Sequence, residues 1–484
     1  MHLPHGFFCE AGFDSCRAEK QKRTVRCASA FYSSETPSQR NAGGWHGGAI
    51  LHARLSYNQK NMLHFIFGIS IFVLTLGVIM VRPYHISEAL AASVGATLML
   101  IGGYLLPHEA IQVLKGQWNI YGFFLGLMII SAVADQAGIF DVLAAQTGRL
   151  ARGSARRLLV GVFLLGMLIT AFLSNDATAL ILTPVVFAMV TRLRLPPLPF
   201  MFACTFIADT ASFLLPVSNP INILFLDSFG GGLGTYLQHM LVPSLFCIGF
   251  NIALFLFLFR ADLRRKYHLE DLPSMHPPNR AFFNFTLVVL GCIAVAFVLA
   301  SSMEAPLSMV ALAGAIALLI GGRHYGPLEW KRLRGEISWA LFIFISGMFL
   351  VIRGIENLGL TNDFASALMR LAGSNPLRSS LVVAASTALG ANLINNVPMA
   401  IVATSTLHAM GVSRLAHPGL IYAAMLGCDL GPNLTTVGSL ATMLWLLILR
   451  RKGLDVSSVE YFKLGILVVP VMVAVGALLI SLGQ

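Results

Sequence analysis

Long apolar runs separated by short polar segments make up the chain from residue 62 onward. Ten of these runs are close to or above the roughly 20 residues that an α-helix needs to cross a hydrocarbon layer about 30 Å thick. We therefore predict an all-α polytopic membrane protein, because helices satisfy their backbone hydrogen bonds internally in lipid. The predicted spans cover residues 64–81, 87–106, 119–139, 199–226, 239–259, 283–301, 305–322, 337–358, 417–448 and 461–482.

Two further apolar stretches, 158–191 and 380–409, are interrupted by polar residues at their centres. The interruptions are Ser174-Asn175-Asp176 and Asn395-Asn396-Val397-Pro398. Irregular backbone at membrane depth is tolerated only where it is buried in protein or lines a water-filled cavity. We expect both stretches to form re-entrant hairpins whose polar tips lie deep in the membrane.

The chain contains an internal duplication. A shift of 220 residues places Asn175 on Asn395 and Asp209 on Asp429, so each half holds five spans and one hairpin. An odd number of crossings turns the second half upside down, which is the inverted-repeat plan of secondary transporters. The predicted organisation is a polar extension (1–61), a first repeat (62–260), a basic linker (261–282) and a second repeat (283–484).

Composition and charge narrow the function classes. The chain is 56% hydrophobic and 11% charged, whereas soluble domains are about 45–50% apolar and about 25% charged. A water-soluble fold is therefore excluded. The formal net charge of +11 comes largely from cations in short loops between apolar runs, so we predict no nucleic-acid partner.

The loop cations also predict an orientation. Twenty Lys and Arg residues lie in loops on one side of the predicted spans and five on the other. The positive-inside rule then predicts an inner cell membrane protein with both termini outside. The extension 1–61 opposes this orientation with eight further cations, and it has no apolar run of spanning length. We predict that it is disordered or absent from the mature protein, because Met62 directly precedes the first apolar run.

Polar and helix-weakening residues interrupt two predicted spans, 199–226 and 417–448, at matching positions. Transporters with inverted repeats place their substrate sites at such broken helices. Amides and hydroxyls there suit a neutral polyhydroxy solute or a cation, or they tie hairpin tips to the broken spans. The predicted substrate-path residues are Asn175, Ser218, Asn219, Asn222, Asn395, Asn396, Thr435, Thr436 and Ser439.

Three carboxylates, those of Asp176, Asp209 and Asp429, lie within the interrupted segments. An aspartate at the bilayer centre costs about 2.5–3.5 kcal/mol on insertion scales, so each one requires an explanation. Burial favours the protonated form of a carboxyl group, which makes all three candidates for proton coupling. The alternative is a structural role, in which each carboxylate caps a half-helix or accepts hydrogen bonds from unwound backbone.

Two cysteines stand near these aspartates. Cys428 precedes Asp429, and Cys204 lies five residues before Asp209. Soft thiolates bind soft metalloids, so both are candidates for substrate contact, although a buried cysteine is commonly a small apolar side chain. The Walker nucleotide-binding pattern and HExxH do not occur. We predict a transporter driven by an ion gradient, not an enzyme, with no cofactor and no metal site.

Four segments carry a family resemblance. They are Ser174-Asn175-Asp176 followed by Ala179-Leu180-Ile181-Leu182-Thr183-Pro184, then Phe206-Ile207-Ala208-Asp209-Thr210-Ala211-Ser212, then Gly427-Cys428-Asp429-Leu430-Gly431-Pro432, and Gly438-Ser439-Leu440-Ala441-Thr442-Met443-Leu444-Trp445. From Met62 to the C-terminus the chain resembles the arsenical pump membrane protein family, the arsenite-efflux branch of the ion transporter superfamily. The resemblance implies export of arsenite and antimonite driven by inward proton movement, with optional docking of a soluble arsenite-stimulated ATPase.

Two other functions stay open at this point. A relative in the same superfamily with the same fold would exchange sodium for protons or carry another anion or oxyacid. Alternatively, the chain would be the passive membrane subunit of an ATP-driven pump.

Overall fold

The computed structural model describes residues 46–81, 86–272, 277, 279–326 and 328–483. Helices make up most of this part of the chain. The first ten are α1 His46–Val81, α2 Glu88–Ile101, α3 Pro107–Gly116, α4 Trp118–Gln136, α5 Ile139–Leu150, α6 Ala155–Phe172, α7 Thr183–Arg192, α8 Leu198–Thr210, α9 Pro220–Phe229 and α10 Leu233–Leu258. A single turn Asn175–Ala177 and a π-helix Thr178–Leu182 lead into α7.

The second ten helices repeat the first ten in order and approximate length. They are α11 Arg280–Ser302, α12 Leu307–Tyr325, α13 Trp330–Glu336, α14 Trp339–Asn357, α15 Leu360–Ala372, α16 Pro376–Ile394, α17 Asn396–Ala409, α18 Pro418–Leu430, α19 Leu440–Arg451 and α20 Ser458–Leu482. Each helix therefore has its counterpart ten helices later, close to the 220-residue shift found in the sequence. The prediction of an all-α protein with two inverted repeats is confirmed.

The contacts divide the chain into two units, Met1–Leu63 and His64–Gln484. Residues 1–45 of the polar extension lie outside the described part of the chain. The helix α1 begins within the extension at His46. The second unit carries the transporter helices.

Nine helical segments in the described residues are long and apolar enough to cross a membrane. They are Met62–Val81, Trp118–Gln136, Ala155–Phe172, Leu233–Leu258, Arg280–Ser302, Leu307–Tyr325, Trp330–Asn357, Pro376–Ile394 and Ser458–Leu482. The first limbs of both hairpins, α6 and α16, belong to this group and are longer than the sequence predicted. The predicted span 87–106 instead contains α2, a helix of 14 residues.

The two repeats pack against each other through reciprocal helix pairs. Helix α4 lies on α12, and its counterpart α14 lies on α2. At the first crossing, a Cβ on Gly126 would stand 2.6 Å from the carbonyl carbon of Ala311. At the second crossing, a Cβ on Gly347 would stand 2.7 Å from the carbonyl carbon of Ala92. Small residues thus allow the close backbone approach that holds helices together in lipid.

We expect Gly126→Ala and Gly347→Ala to destabilise the protein by about 1–3 kcal/mol each, because the added methyl group meets backbone that cannot yield without moving a helix. Thermal unfolding of the detergent-solubilised protein measures this. Gly249→Ala in α10 is the matched control, since a Cβ there has no neighbour within 4 Å. Equal melting temperatures for Gly126→Ala and Gly249→Ala would contradict the close approach.

Candidate transport site

Side-chain caps form the tips of the two hairpins. The Ser174 hydroxyl accepts a hydrogen bond of 3.1 Å from the backbone N–H of Ala177. The Asn395 amide oxygen accepts one of 3.4 Å from the N–H of Val397, and Asn395 itself has a φ of 73°. Serine and asparagine are preferred at helix N-termini because their side chains satisfy free N–H groups. The polar interruptions in the sequence are therefore the starts of new helices.

The two broken spans have the same construction. Helix α8 ends at Thr210 and α9 begins at Pro220, with Asn219 as the N-cap residue of α9. Helix α18 ends at Leu430 and α19 begins at Leu440, with Ser439 as its N-cap residue. Each break leaves an unwound linker of about ten residues or fewer at membrane depth, which is tolerated only inside protein or beside a wet cavity.

The broken spans are joined by crossed hydrogen bonds. Asn219 Nδ2 donates to Asp429 Oδ1 at 2.6 Å, and Ser212 Oγ donates to the same oxygen at 2.8 Å. In the other direction, Ser439 Oγ donates to Asp209 Oδ2 at 3.5 Å and Thr442 Oγ1 at 3.4 Å.

Asn219 and Ser439 are equivalent in the two repeats, so each aspartate lies at the N-terminus of the other repeat's half-helix. This is the end of a helix that stabilises negative charge. Both aspartates are only 1% exposed. Their geometry matches the structural role that the sequence left open.

Asp176 has different surroundings. It lines a cavity of about 660 Å³, which we call the first vestibule, together with residues of α4, α7, α13 and α14. The polar members of its lining are Ser131, Asp135, Asp141, Ser174, Asp176, Arg332, Glu336 and Ser338. Among the described residues, no side chain donates a hydrogen bond to the Asp176 carboxylate. Neither Asp209 nor Asp429 is part of the lining of this vestibule.

A second vestibule of about 500 Å³ lies among α3, α9, α14 and α17. These helices are the counterparts of α13, α19, α4 and α7, so the repeat symmetry relates the two vestibules and places them at opposite faces. Leu224 in the second vestibule corresponds to Leu444 in the first. The second vestibule ends at α17, and neither Asn395 nor Asn396 is part of its lining. Only the first vestibule reaches a hairpin tip.

Equivalent acidic residues, Asp135 and Glu356, lie in the two vestibules. Asp135 of α4 pairs with Arg332 of α13, which also contacts Glu336 at 2.9 Å. Glu356 of α14 pairs with Arg353 at 2.8 Å. Glu356 also accepts a hydrogen bond from Ser405 of α17, and this bond ties the second hairpin to α14. Position 185, which corresponds to Ser405, is a valine, so the first hairpin has no such tie.

Most of the predicted substrate-path residues bind backbone or other polar side chains. Ser218 Oγ donates to Ala171 O at 3.3 Å, and Asn222 Nδ2 donates to Ser212 O at 2.8 Å. The remaining contacts are Asn395 Nδ2 to Val437 O, Asn396 N to Gly438 O, Thr435 Oγ1 to Asn392 Oδ1 and Thr436 Oγ1 with Ser458 Oγ. These residues fix the linkers, and of the predicted site residues Asp176 is the one that lines the first vestibule.

The two cysteine candidates are fully buried, and neither lines a vestibule. In the part of the chain that the structure describes, no group of three or more His, Cys, Asp or Glu is arranged to hold a metal ion.

A buried network of amide side chains supports the contact between the two broken spans. The sequence analysis did not predict this network. Asn251 Nδ2 donates to Thr210 Oγ1 at 2.9 Å, and Asn433 Nδ2 donates to the same oxygen at 3.2 Å. Asn433 directly follows Gly431-Pro432, where the helix breaks. This position next to the predicted site could have identified Asn433 as a site residue from the sequence. Asn251 is an isolated amide in the apolar helix α10, where a buried polar residue by itself indicates a partner.

Comparisons with known proteins show which family and which fold this chain resembles. Residues 67–482 match the family described as arsenical pump membrane protein. The chain is 34% identical over 404 residues to the arsenical pump membrane protein of Escherichia coli (strain K12), which covers 82% of this chain and 94% of that protein. The Yersinia enterocolitica protein of the same name matches with the same identity and coverage.

Among solved structures, the Alcanivorax borkumensis YdaH transporter has the same fold, with a TM-score of 0.57 at 16% sequence identity. The match covers 87% of this chain and 97% of that protein, whose topology is described as unusual.

Proposed function

Because this chain belongs to the arsenical pump membrane protein family, we propose that it exports arsenite and antimonite from the cytoplasm in exchange for protons. The observation that carries this proposal is the Asp176 carboxylate at the hairpin tip. It lines the first vestibule and has no hydrogen-bond donor among the described side chains. A proton carrier needs this combination of burial and access.

Asp176 is the principal proton carrier in this proposal. Asp209 and Asp429 accept hydrogen bonds from side chains of the opposite repeat, which favours fixed positions for both carboxyl groups, although Asp429 Oδ2 is buried without a partner among the described residues. The N-cap residues Ser174 and Asn395 align the two hairpin tips, and in this alignment Val397 takes the position of Asp176, so the architecture does not demand a carboxylate there. In this proposal Asp209 and Asp429 hold the broken helices in place through the N-cap residues Ser439 and Asn219.

The two vestibules supply the access to both sides. The cations of α13, Lys331, Arg332 and Arg334, support a cytoplasmic location for the first vestibule under the positive-inside rule. In this proposal the structure represents a cytoplasm-facing state, in which the bond between Ser405 and Glu356 holds α17 against α14 and the second vestibule does not extend to its hairpin tip. If each repeat adopted the conformation that the other repeat has in this structure, the second vestibule would open and the first would close.

Arsenite at neutral pH is mostly a neutral trihydroxide, which hydrogen-bond donors and acceptors recognise without a metal site. Ser174 and Asp176 present a hydroxyl and a carboxylate at the bottom of the first vestibule. Ser131 lines the same cavity, and its buried Oγ has no hydrogen-bond partner among the described residues. Export of a neutral solute against inward protons moves net charge, so both the pH gradient and the membrane potential would drive it.

Everted membrane vesicles test the proposal. Vesicles containing this chain, from cells that lack an arsenite-stimulated ATPase, are given a proton gradient with an acidic lumen and labelled arsenite. We expect accumulation that an uncoupler abolishes, because proton exit into the medium drives arsenite into the lumen.

Two outcomes would overturn the proposal. Accumulation that requires ATP and a soluble ATPase would make the chain the membrane subunit of an ATP-driven pump. Sodium-dependent pH changes without any response to arsenite would identify a sodium/proton exchanger instead. Repeating the assay with antimonite tests the second substrate separately.

A further inference from the structure

A groove at the membrane boundary between α6 and α10 has a composition that the transport site does not explain. It has a volume of about 390 Å³ and is lined by Arg156, Arg157, Val160, Leu256, Phe257 and Arg260. Half of these residues are cationic and half are apolar. From this composition and position, we infer that the groove binds the phosphate of an anionic phospholipid, with an acyl chain along its apolar wall.

The three arginines have no acidic partner in the described part of the chain. The ion pairs found there involve other arginines, at positions 332, 353, 414 and 450. Arg260 lies over the ring of Phe257, with its Cζ 5.2 Å from the ring centroid, so the guanidinium is positioned by an aromatic face and not by a carboxylate. Its hydrogen-bond donors stay free for a phosphate, which arginine binds in bidentate fashion.

The start of α6 strengthens the positive charge. Arg156 and Arg157 lie in the first turn of this helix, which contains no acidic residue. Cations are unfavourable at a helix N-terminus because the aligned peptide dipoles already leave it positive. A bound phosphate would offset both the charge of the arginines and the positive end of the helix dipole. The equivalent residues at the start of α16 are Leu377 and Arg378, so the repeat architecture does not require a pair of arginines.

The groove is held by backbone contacts on its polar side. The linker after α10 turns back to the start of α6, where Tyr267 N donates to Gly153 O at 3.0 Å and Ala155 N donates to Arg265 O at 3.4 Å. This contact fixes the end of α10 beside the N-terminus of α6. The arginines therefore converge on one place and do not depend on a mobile loop.

The apolar wall favours a lipid over a free anion. Val160, Leu256 and Phe257 lie on α6 and α10, both of which are long and apolar enough to cross the membrane. Phe257 is 62% exposed, so a large apolar surface continues from the arginines toward the hydrocarbon layer. Basic pockets between membrane helices on the cytoplasmic side are typical headgroup sites.

Spin-labelled lipids test the inference without reference to transport. The purified full-length protein is reconstituted into phosphatidylcholine vesicles, and its association with labelled phosphatidylglycerol and labelled phosphatidylcholine is compared. We expect wild-type protein to prefer phosphatidylglycerol, and the variant Arg156→Gln/Arg157→Gln/Arg260→Gln to lose this preference by about tenfold at the site. The matched control is Arg323→Gln/Arg334→Gln/Arg451→Gln, which removes three exposed cations outside the groove.

Three results would overturn the inference. The groove variant would retain the wild-type preference, or the control variant would lose as much as the groove variant. Inorganic phosphate that displaces labelled phosphatidylglycerol at equal concentration would identify a free-anion site instead of a lipid site. If the triple variant fails to fold, as judged by its elution from a sizing column, the single variants Arg156→Gln and Arg260→Gln replace it, each with a partial loss expected.

Discussion

Replacing Asp176 by asparagine is expected to abolish proton-driven arsenite accumulation in everted vesicles while the protein still folds. The amide keeps the size of the side chain but cannot carry a proton. A positioned group that transfers protons contributes about 10²–10⁴-fold to the rate of a proton-coupled step, so accumulation should fall to the uncoupled background. No hydrogen bond from a described side chain is lost, so the melting temperature should stay near that of wild type.

The matched control is Asp141→Asn, which removes a carboxylate from the same vestibule but away from the hairpin tip. We expect this variant to retain most of the accumulation. If Asp176→Asn transports arsenite like wild type, or if Asp141→Asn loses as much activity, Asp176 is not the proton carrier.

Replacing Asp429 by alanine is expected to destabilise the contact between the two broken spans. The change leaves Asn219 Nδ2 buried without an acceptor, whereas Ser212 Oγ keeps its hydrogen bond to the carbonyl oxygen of Asp209. The unsatisfied donor costs about 1–3 kcal/mol, which is a sizeable part of the roughly 5–15 kcal/mol that separates folded from unfolded states. We expect a clearly lowered melting temperature in detergent and a reduced yield of folded protein.

Asp429→Asn is the matched variant that separates structure from proton transfer. Its amide oxygen can still accept from Asn219 and Ser212, so it should lose only the helix-terminus attraction for charge, typically about 0.3–1 kcal/mol. Normal folding with transport intact supports a structural role for Asp429. Normal folding with transport lost would make Asp429 a proton carrier, contrary to our assignment of Asp176.

The sequence predicted the hairpin tips and the broken helices because the signal there is local. Asparagine, serine and proline inside an apolar run both weaken a helix and cap the next one, as Ser174, Asn395 and Asn219 do. The inverted duplication was likewise visible, since Asp209 and Asp429 recur at a fixed shift.

The crossed hydrogen bonds between the two broken spans could not be predicted in the same way. The bond from Asn219 to Asp429 joins residues 210 positions apart, and composition does not show which polar groups of two buried segments will meet. The three aspartates therefore looked alike in sequence. In the structure, Asp209 and Asp429 accept hydrogen bonds from the opposite repeat, whereas Asp176 lines a cavity.

The surroundings of the span ends also depend on packing. Asp135 and Glu356 stand at the ends of α4 and α14, and the structure places them in the two vestibules. Glu356 pairs with Arg353, which lies three residues earlier on the same helix face, a spacing that favours ion pairs. The bond from Ser405 that closes this side depends on the position of a different helix.

Arsenite-driven proton flux in proteoliposomes of the purified chain tests the proposed exchange most directly. The vesicles enclose a pH-sensitive dye and contain no other protein, and an arsenite gradient is imposed without a pH gradient. We predict that arsenite moving into the vesicles drives protons out of them. We also predict that Asp176→Asn abolishes this proton flux in protein that is still folded. Arsenite movement without any change in internal pH would contradict proton-coupled export by this chain.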